Sequence, residues 1–444
     1  MIVSHMQDVP ATPKIRVRYV HIAGLVASVA LLLTSCSSDD ESASASASVS
    51  ATSSVSAESA LKTIDPQAFQ SVVAAAADEL KVPGALVLVH SPQGQVVATV
   101  GTTEIGAQIP PAANTHFRIA SNTKTMTAAL NVLLAQDGKL KFDDPVSKYV
   151  PDVPNGENIT VANLLKMRSG LYNYTMDPAL SAAMDADPGR VWTPQEVLDI
   201  SFRHPPNFAP DAEYEYNNTN YALLGLVAEA AGGRPLAEQL QDRLYGPVGL
   251  TQTSLLAPTD TSIPAPYSHG YMYGGTYYAL ADDPYPADIQ AAAAAGTLQP
   301  NDYTNQNPSY AYAAGGAISV ADDLATWMKA LVGGKVFDAD YQQQWVDSRQ
   351  AEDPDNPDGQ QYGYGISYQR FGPEAAMFYH GGELPGFNSF MGYDPDNDVT
   401  LVIWTNLTLS PEGKTTAQAL LPTVLDEIYE GLNLVPSPTP TPTK

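Results

Sequence analysis

Two hairpin patterns, one near each end of the chain, restrict the possible folds more than any other feature. Gly84 to His90 and Gln95 to Val100 are runs rich in apolar and β-branched residues around Ser91-Pro92-Gln93-Gly94, a turn sequence between strands. Asn388 to Tyr393 and Val399 to Asn406 repeat the pattern around Asp394-Pro395-Asp396-Asn397-Asp398. Between them, from about residue 140 to 330, the chain reads mostly as helix and loop. Strands at both ends with helices between imply one antiparallel sheet assembled from both termini, plus an inserted helical region. The expected class is α+β.

Three helices have clear signals. Asp65-Pro66 is an N-cap followed by proline at the first helical position, opening an Ala-rich helix to about Lys81. A second helix runs from near Ser121 to Asp137, with Met126, Leu130, Leu133 and Leu134 at helical spacing and Gly138 just past its end. A last amphipathic helix spans about Thr415 to Tyr429. No internal repeat is visible.

Composition narrows the function. Of 444 residues, 44% are hydrophobic and 16% charged, enough for a sizeable core. Acids outnumber bases 48 to 22, for a formal net charge of −26. Such a surface repels phosphate backbones, so no nucleic-acid partner is expected. A single cysteine excludes an internal disulfide framework and a multi-cysteine metal site.

That cysteine belongs to the N-terminal signal. Lys14, Arg16 and Arg18 precede an apolar stretch, Ile22 to Leu33, too short to cross a membrane as a helix. The stretch ends in Leu33-Thr34-Ser35-Cys36, which resembles a bacterial lipobox. The resemblance implies cleavage after residue 35 and a lipid on Cys36. The protein is then exported and held at the outer face of the cytoplasmic membrane. An inert cysteine beside an ordinary signal peptide is the alternative. Residues 36–61 are Ser- and Ala-rich and read as a disordered tether. Val435 to Lys444 alternates Pro with Ser or Thr and reads as an extended tail. The folded body is expected over 62–434.

Chemistry within that body is sparse. There is no G-x-S-x-G, H-E-x-x-H or G-x-x-x-x-G-K, and the histidines are too scattered for a recognisable zinc motif. What remains is Ser121-Asn122-Thr123-Lys124. On a helix, residues i and i+3 share a face, so the hydroxyl and the amine lie within one turn. Serine is a poor nucleophile until a base takes its proton, and a buried lysine can do so because burial lowers its pKa. Ser59-Ala60-Leu61-Lys62 has the same spacing but lies at the edge of the tether, where nothing would desolvate the lysine.

The segment Phe117-Arg118-Ile119-Ala120-Ser121-Asn122-Thr123-Lys124 resembles the active-site stretch of the penicillin-binding-protein-like serine hydrolases. These are the class C β-lactamases, D-alanyl-D-alanine carboxypeptidases and related esterases. Two further elements of that family follow in order. Tyr216-Asn217-Asn218 supplies Y-x-N before Leu223-Leu224-Gly225, and His380-Gly381-Gly382 supplies H-x-G with Gly386 beyond it. Tyr303-Thr304-Asn305 also satisfies Y-x-N but lies in an irregular Tyr- and Pro-rich region. The segments Gly138 to Tyr149, Arg168-Ser169-Gly170-Leu171-Tyr172 and Ala314 to Ser319 are similar to family segments too, so the resemblance covers about 65–430.

The resemblance implies a β-lactamase/DD-peptidase-like antiparallel sheet flanked by helices, with a mostly helical insertion. It also implies two-step acyl transfer without metal or organic cofactor. Ser121 would attack a carbonyl, Lys124 and Tyr216 would handle its proton, and Tyr216 with His380 would manage the leaving group. Backbone N–H groups of Ser121 and Glu383 would hold the oxyanion, beside Gly382 and Asn218. Each residue has a plainer reading: a solvated helix start, a packing tyrosine, a helix cap for Asn218, a structural histidine. Arg118 reads as a structural pairing residue. Arg370 is a candidate for binding a substrate carboxylate, with a surface arginine as the alternative. Glu383 departs from the hydroxyl residue often found there in the carboxypeptidases, and its charge would repel a carboxylate. The expected activity is carboxypeptidase-like on D-Ala-D-Ala peptides or β-lactams. An esterase is second, and a catalytically silent envelope-binding protein is third.

Overall fold

Asp65 opens the first helix as expected: its carboxylate accepts the Ala68 amide at 2.7 Å and Pro66 follows. In this computed structural model, residues 60–281, 283–432 and 434 are described. The signal segment, Cys36, the tether as far as residue 59 and the tail from 435 lie outside the described residues. Helix α1, Pro66–Glu79, turns Phe69, Val73 and Ala77 inward, a stripe at helical spacing. It precedes the hairpin of β1, Gly84–Ser91, and β2, Gly94–Gly101.

The remaining strands of the main sheet come from the C-terminal quarter. They are β3, Gln350–Ala351; β4, Gln361–Tyr362; β5, Ser367–Arg370; β6, Ala376–Leu384; β7, Phe387–Asp394; and β8, Val399–Thr405. The eight strands run in the order β2-β1-β8-β7-β6-β5-β4-β3, every neighbouring pair antiparallel. The junction between the two ends is β1 on β8, where Ala85 pairs with Thr405 and His90 with Thr400.

Both faces of this sheet are covered, so alternation sends apolar side chains into two separate layers. On β1, Leu86 and Leu88 face one layer while Ala85, Val87 and Val89 face the other. On β8, Val402 and Trp404 oppose Leu401 and Ile403 in the same way. Helix α1 covers the second face together with the last long helix, Thr416–Ile428, which contributes Leu420, Val424, Leu425 and Ile428. The first face packs on the helical region, including α2, Thr123–Gln136; α3, Asn218–Gly232; and α4, Ala321–Val332.

Two differences from the sequence reading are physical. The periodic apolar residues of α2 suggest one buried face, yet every residue from Thr123 to Ala135 is buried. The helix runs inside the helical region rather than over its surface. Ala60 and Leu61, assigned above to the tether, belong to the folded body. Leu61 bridges Tyr429, the Glu430 amide donates to the Ala60 carbonyl at 2.9 Å, and Lys62 hydrogen-bonds the Asp426 carbonyl. The Tyr-rich stretch is structured as well: Tyr271, Tyr273 and Tyr285 are buried in the second apolar layer.

Candidate active site

The turn before α2 sets the site. Ser121 lies in one 3-10 turn, Ala120–Asn122, that leads directly into the helix. Ala120 takes a left-handed φ of 51°, a conformation that a residue with a Cβ holds only when its surroundings enforce it. The surroundings do. The Ile119 amide donates to the Ala317 carbonyl at 3.1 Å, the Thr123 hydroxyl to the Ala120 carbonyl at 2.7 Å, and the Ala317 amide to Thr123 Oγ1 at 3.2 Å. Asn122 Nδ2 reaches Ser389 Oγ on β7 at 2.8 Å, fastening the turn to the sheet.

Lys124 is fully buried. Its Nζ lies 2.9 Å from Ser121 Oγ, 2.7 Å from Asn218 Oδ1 and 2.7 Å from the Ala314 carbonyl. Burial drives its pKa well below the ordinary lysine value. A neutral amine has two hydrogens, and the two amide oxygens accept both. Its lone pair is then directed at the serine hydroxyl. The rings of Tyr216 and Tyr221 lie 5.0 and 5.7 Å from the same nitrogen.

The second motif arrives on the start of α3. Asn217, not Asn218, caps that helix: its side chain accepts the Thr219 amide at 2.8 Å. Asn218 is thereby free to face inward, where its Nδ2 donates to Thr175 Oγ1 at 3.1 Å while its oxygen holds Lys124. The Tyr216 hydroxyl hydrogen-bonds Ser121, and burial pushes its pKa up, with the charges of Glu383 and Glu352 adding to the shift. The phenol is therefore a proton donor across the neutral range.

The third motif lies on β6. Gly382 is required by close approach: a Cβ there would sit 2.3 Å from the Ile119 carbonyl and 2.6 Å from Ser389 Oγ. His380 is buried, with Nδ1 2.6 Å from the Gly381 carbonyl and Nε2 3.2 Å from the Tyr362 hydroxyl. Nδ1 is the donor, since a carbonyl can only accept, and Nε2 accepts from the phenol. Burial is the main cause that lowers its pKa to about 3, and a proton on Lys124, when the amine carries one, acts in the same direction. The ring is neutral and both its nitrogens are engaged away from Ser121. Glu383 follows on the same strand, opposite Asn388. Its charge raises the hydroxyls of Tyr216, Tyr285 and Tyr310, so the carboxylate lies among tyrosines at the edge of the site.

Ser121, Lys124, Tyr216, Asn218, His380, Gly382 and Glu383 thus come together, and Arg370 does not. It ends β5, is exposed, and donates to the Pro373 carbonyl at 2.8 Å. Its register partner Ala376 lies seven residues along β6 from Glu383, roughly 23 Å of strand. The structure corrects that candidate to a hairpin residue. Tyr303 likewise stays out of the site, its hydroxyl donating to the Gly274 carbonyl at 2.8 Å. Sequence reasoning missed Tyr362, Thr175 and the Ala314 carbonyl. Only the last lay in a segment already singled out.

A buried lysine base on an S-x-x-K serine, on a turn clamped to an antiparallel sheet, defines a serine hydrolase of the penicillin-binding type. The sequence model of the Beta-lactamase family matches residues 69–424, and the chain belongs to that family. PbpX of Bacillus subtilis (strain 168), which has a penicillin-binding-protein name, is 24% identical over 324 residues, 72% of this chain and 67% of its own length. Protein flp of Staphylococcus aureus (strain N315) is 30% identical over 180 residues, 39% of this chain and 35% of its own length. The chain thus spans from about a third to two thirds of these relatives. Among solved structures, a D-stereospecific amidohydrolase from Streptomyces sp. shares 27% identity, with a TM-score of 0.69 over 83% of this chain and 100% of that one. The D-amino acid amidase of Ochrobactrum anthropi SV3 shares 27% identity, with a TM-score of 0.67 over 81% and 97%.

Proposed function

We propose that the protein forms an acyl-enzyme on Ser121 and hydrolyses amide or peptide bonds of D-amino-acid units, favouring substrates without a free carboxylate beside the reacting bond. The observation behind this reading is the Lys124 amine, buried and hydrogen-bonded so that it can take the Ser121 proton as Oγ attacks. The N–H groups of Ser121 and Glu383 receive the oxyanion. Tyr216 hands a proton to the leaving group, Lys124 replenishes it, and water then releases the acyl group by the reverse path. His380, neutral and held by Tyr362, shapes the wall of the site instead of titrating.

Substrate charge follows from Glu383. Arg370, the candidate carboxylate anchor, is held at the far end of its hairpin, and the similar structures named D-stereospecific amidohydrolase and D-amino acid amidase fit a site without such an anchor. The carboxypeptidase reading is second, supported by the relative with a penicillin-binding-protein name. A panel of D-phenylalanine amide, a D-Ala-D-Ala peptide as free acid and as amide, a short-chain ester and a chromogenic cephalosporin separates these readings. Amides should turn over faster than the free acid, and Glu383→Gln should narrow that preference about tenfold, or ~1.4 kcal/mol. A faster free-acid reaction, unchanged in Glu383→Gln, would establish a carboxypeptidase. No mass shift at Ser121 with any substrate or with a fluorophosphonate would leave a silent binding protein.

We also propose that Cys36 is lipidated and that the tether holds the hydrolase at the outer membrane face. The support is the sole cysteine at the end of an apolar run. An unmodified Cys36 thiol on the isolated mature protein would sink this.

A further inference from the structure

Arg118, three residues before the nucleophile, is buried to 3% exposure, yet its side chain is only partly satisfied. Its Nη2 donates to the carbonyls of Thr261 at 2.8 Å and Thr304 at 3.2 Å. Its Nε and Nη1 have no hydrogen-bond partner. Asp260 acts on it only through its field, and burial lowers the guanidinium to about 10. A buried cation without a paired anion is among the costlier arrangements a protein can hold.

The surroundings share the deficit. Arg118 lines a small cavity with Gln306, Tyr310, Asn307, Leu384 and Pro385, which has room for roughly one water-sized particle. Gln306 Nε2 and the Tyr310 hydroxyl, both buried, also lack partners. Arg118 and Tyr310 are near enough to perturb each other's titration. Every unpartnered group in this cavity can donate, and none of them is an obligate acceptor. A water molecule would bring two hydrogens of its own and leave the charge unbalanced. A compact anion would accept all the donors and neutralise the guanidinium.

We propose that this cavity, formed by Arg118, Gln306 and Tyr310, is a binding site for a small monovalent anion of the halide class. Its place in the fold gives the ion a structural task. It joins the strand entering the nucleophile turn, the 303–310 loop, and the Leu384-Pro385 turn that follows Glu383.

The test uses the mature protein at constant ionic strength, with sodium chloride replacing sodium gluconate. Tm should rise with chloride, by about 3 °C for each tenfold increase above the dissociation constant. In a bromide-soaked crystal an anomalous peak should lie beside Arg118 Nε. The double variant Gln306→Leu, Tyr310→Phe keeps the cavity shape and removes two donors. It should weaken the apparent chloride affinity at least tenfold. Arg118→Met should abolish the response if it folds, and the double variant serves if it does not. Equal Tm in both salts, a bromide peak only elsewhere, or a chloride response undiminished in the double variant would each overturn the site.

Discussion

Gly382→Ala is the sharpest test of how the sheet supports the nucleophile. The added Cβ would lie 2.3 Å from the Ile119 carbonyl, 2.6 Å from Ser389 Oγ and 3.0 Å from Asn122 Nδ2. Ordinary Cβ contacts begin near 3.4 Å, so β6 and the turn must separate by about 1 Å. The Ser389 hydroxyl is small, but the Ile119 carbonyl is backbone, one residue before the left-handed Ala120. Overpacking of this kind costs about 1–3 kcal/mol. For a body this large that lowers Tm by roughly 2–5 °C. The effect on chemistry should be larger, because a 1 Å displacement of a reacting group costs on the order of 100-fold. Acylation by a fluorescent penicillin or a fluorophosphonate, followed by stopped-flow, measures the rate, and calorimetry measures Tm. Gly381→Ala is the control: its Cβ meets the end of the Gln418 side chain at 2.6 Å, which can swing away. A Gly382→Ala protein that acylates at the wild-type rate would refute the claim that this contact positions Ser121.

Ser121→Ala should abolish acylation without loss of Tm. Lys124→Met should cost several orders of magnitude and erase the rise of acylation with pH that a depressed lysine pKa produces, read from the pH–rate profile. His380 titrates at about 3 when folded and near 6.5 when unfolded. Its contribution to stability is therefore complete above about 6.5 and is lost as pH falls towards 3. Acid titration of Tm should be shallower for His380→Gln over that window. Removal of residues 37–59, and Ser59→Ala within the full chain, should leave both Tm and turnover unchanged. A loss in either would show that the tether contacts the body.

Much of the site was legible because its motifs are local in sequence and ordered along the chain. Ser121 and Lys124 share a helical turn, and His380 and Gly382 share a strand. The hairpins were equally plain, since turn residues and apolar runs alternate cleanly at both ends. What the sequence hid were choices between neighbours. Asn217 and Asn218 are chemically identical cap candidates, and only the direction of chain entry decides which one faces Lys124. Arg370 is ten residues from His380, but the β5–β6 hairpin sends it to the far end of the strand. Ala60 and Leu61 look like tether because their support comes from Tyr429 and Glu430 at the other end of the chain. The all-round burial of α2 depends on tertiary cover that helical periodicity does not encode.

The β1–β8 pairing has a consequence for how the chain reaches its native state. Ala85 and Thr405 are about 320 positions apart, yet they face each other across the junction between the second and third strands of the sheet. Closing so long a loop is entropically unfavourable and is rewarded only once the C-terminal strands exist. The N-terminal hairpin therefore has no permanent neighbour during synthesis, and its open edge waits for the last strand to emerge. The turn bearing Ser121 leans on β6 and β7, which also come late. Active enzyme should consequently appear as a single late event after chain completion, and nascent chains ending before residue 399 should be inert and prone to edge-to-edge association.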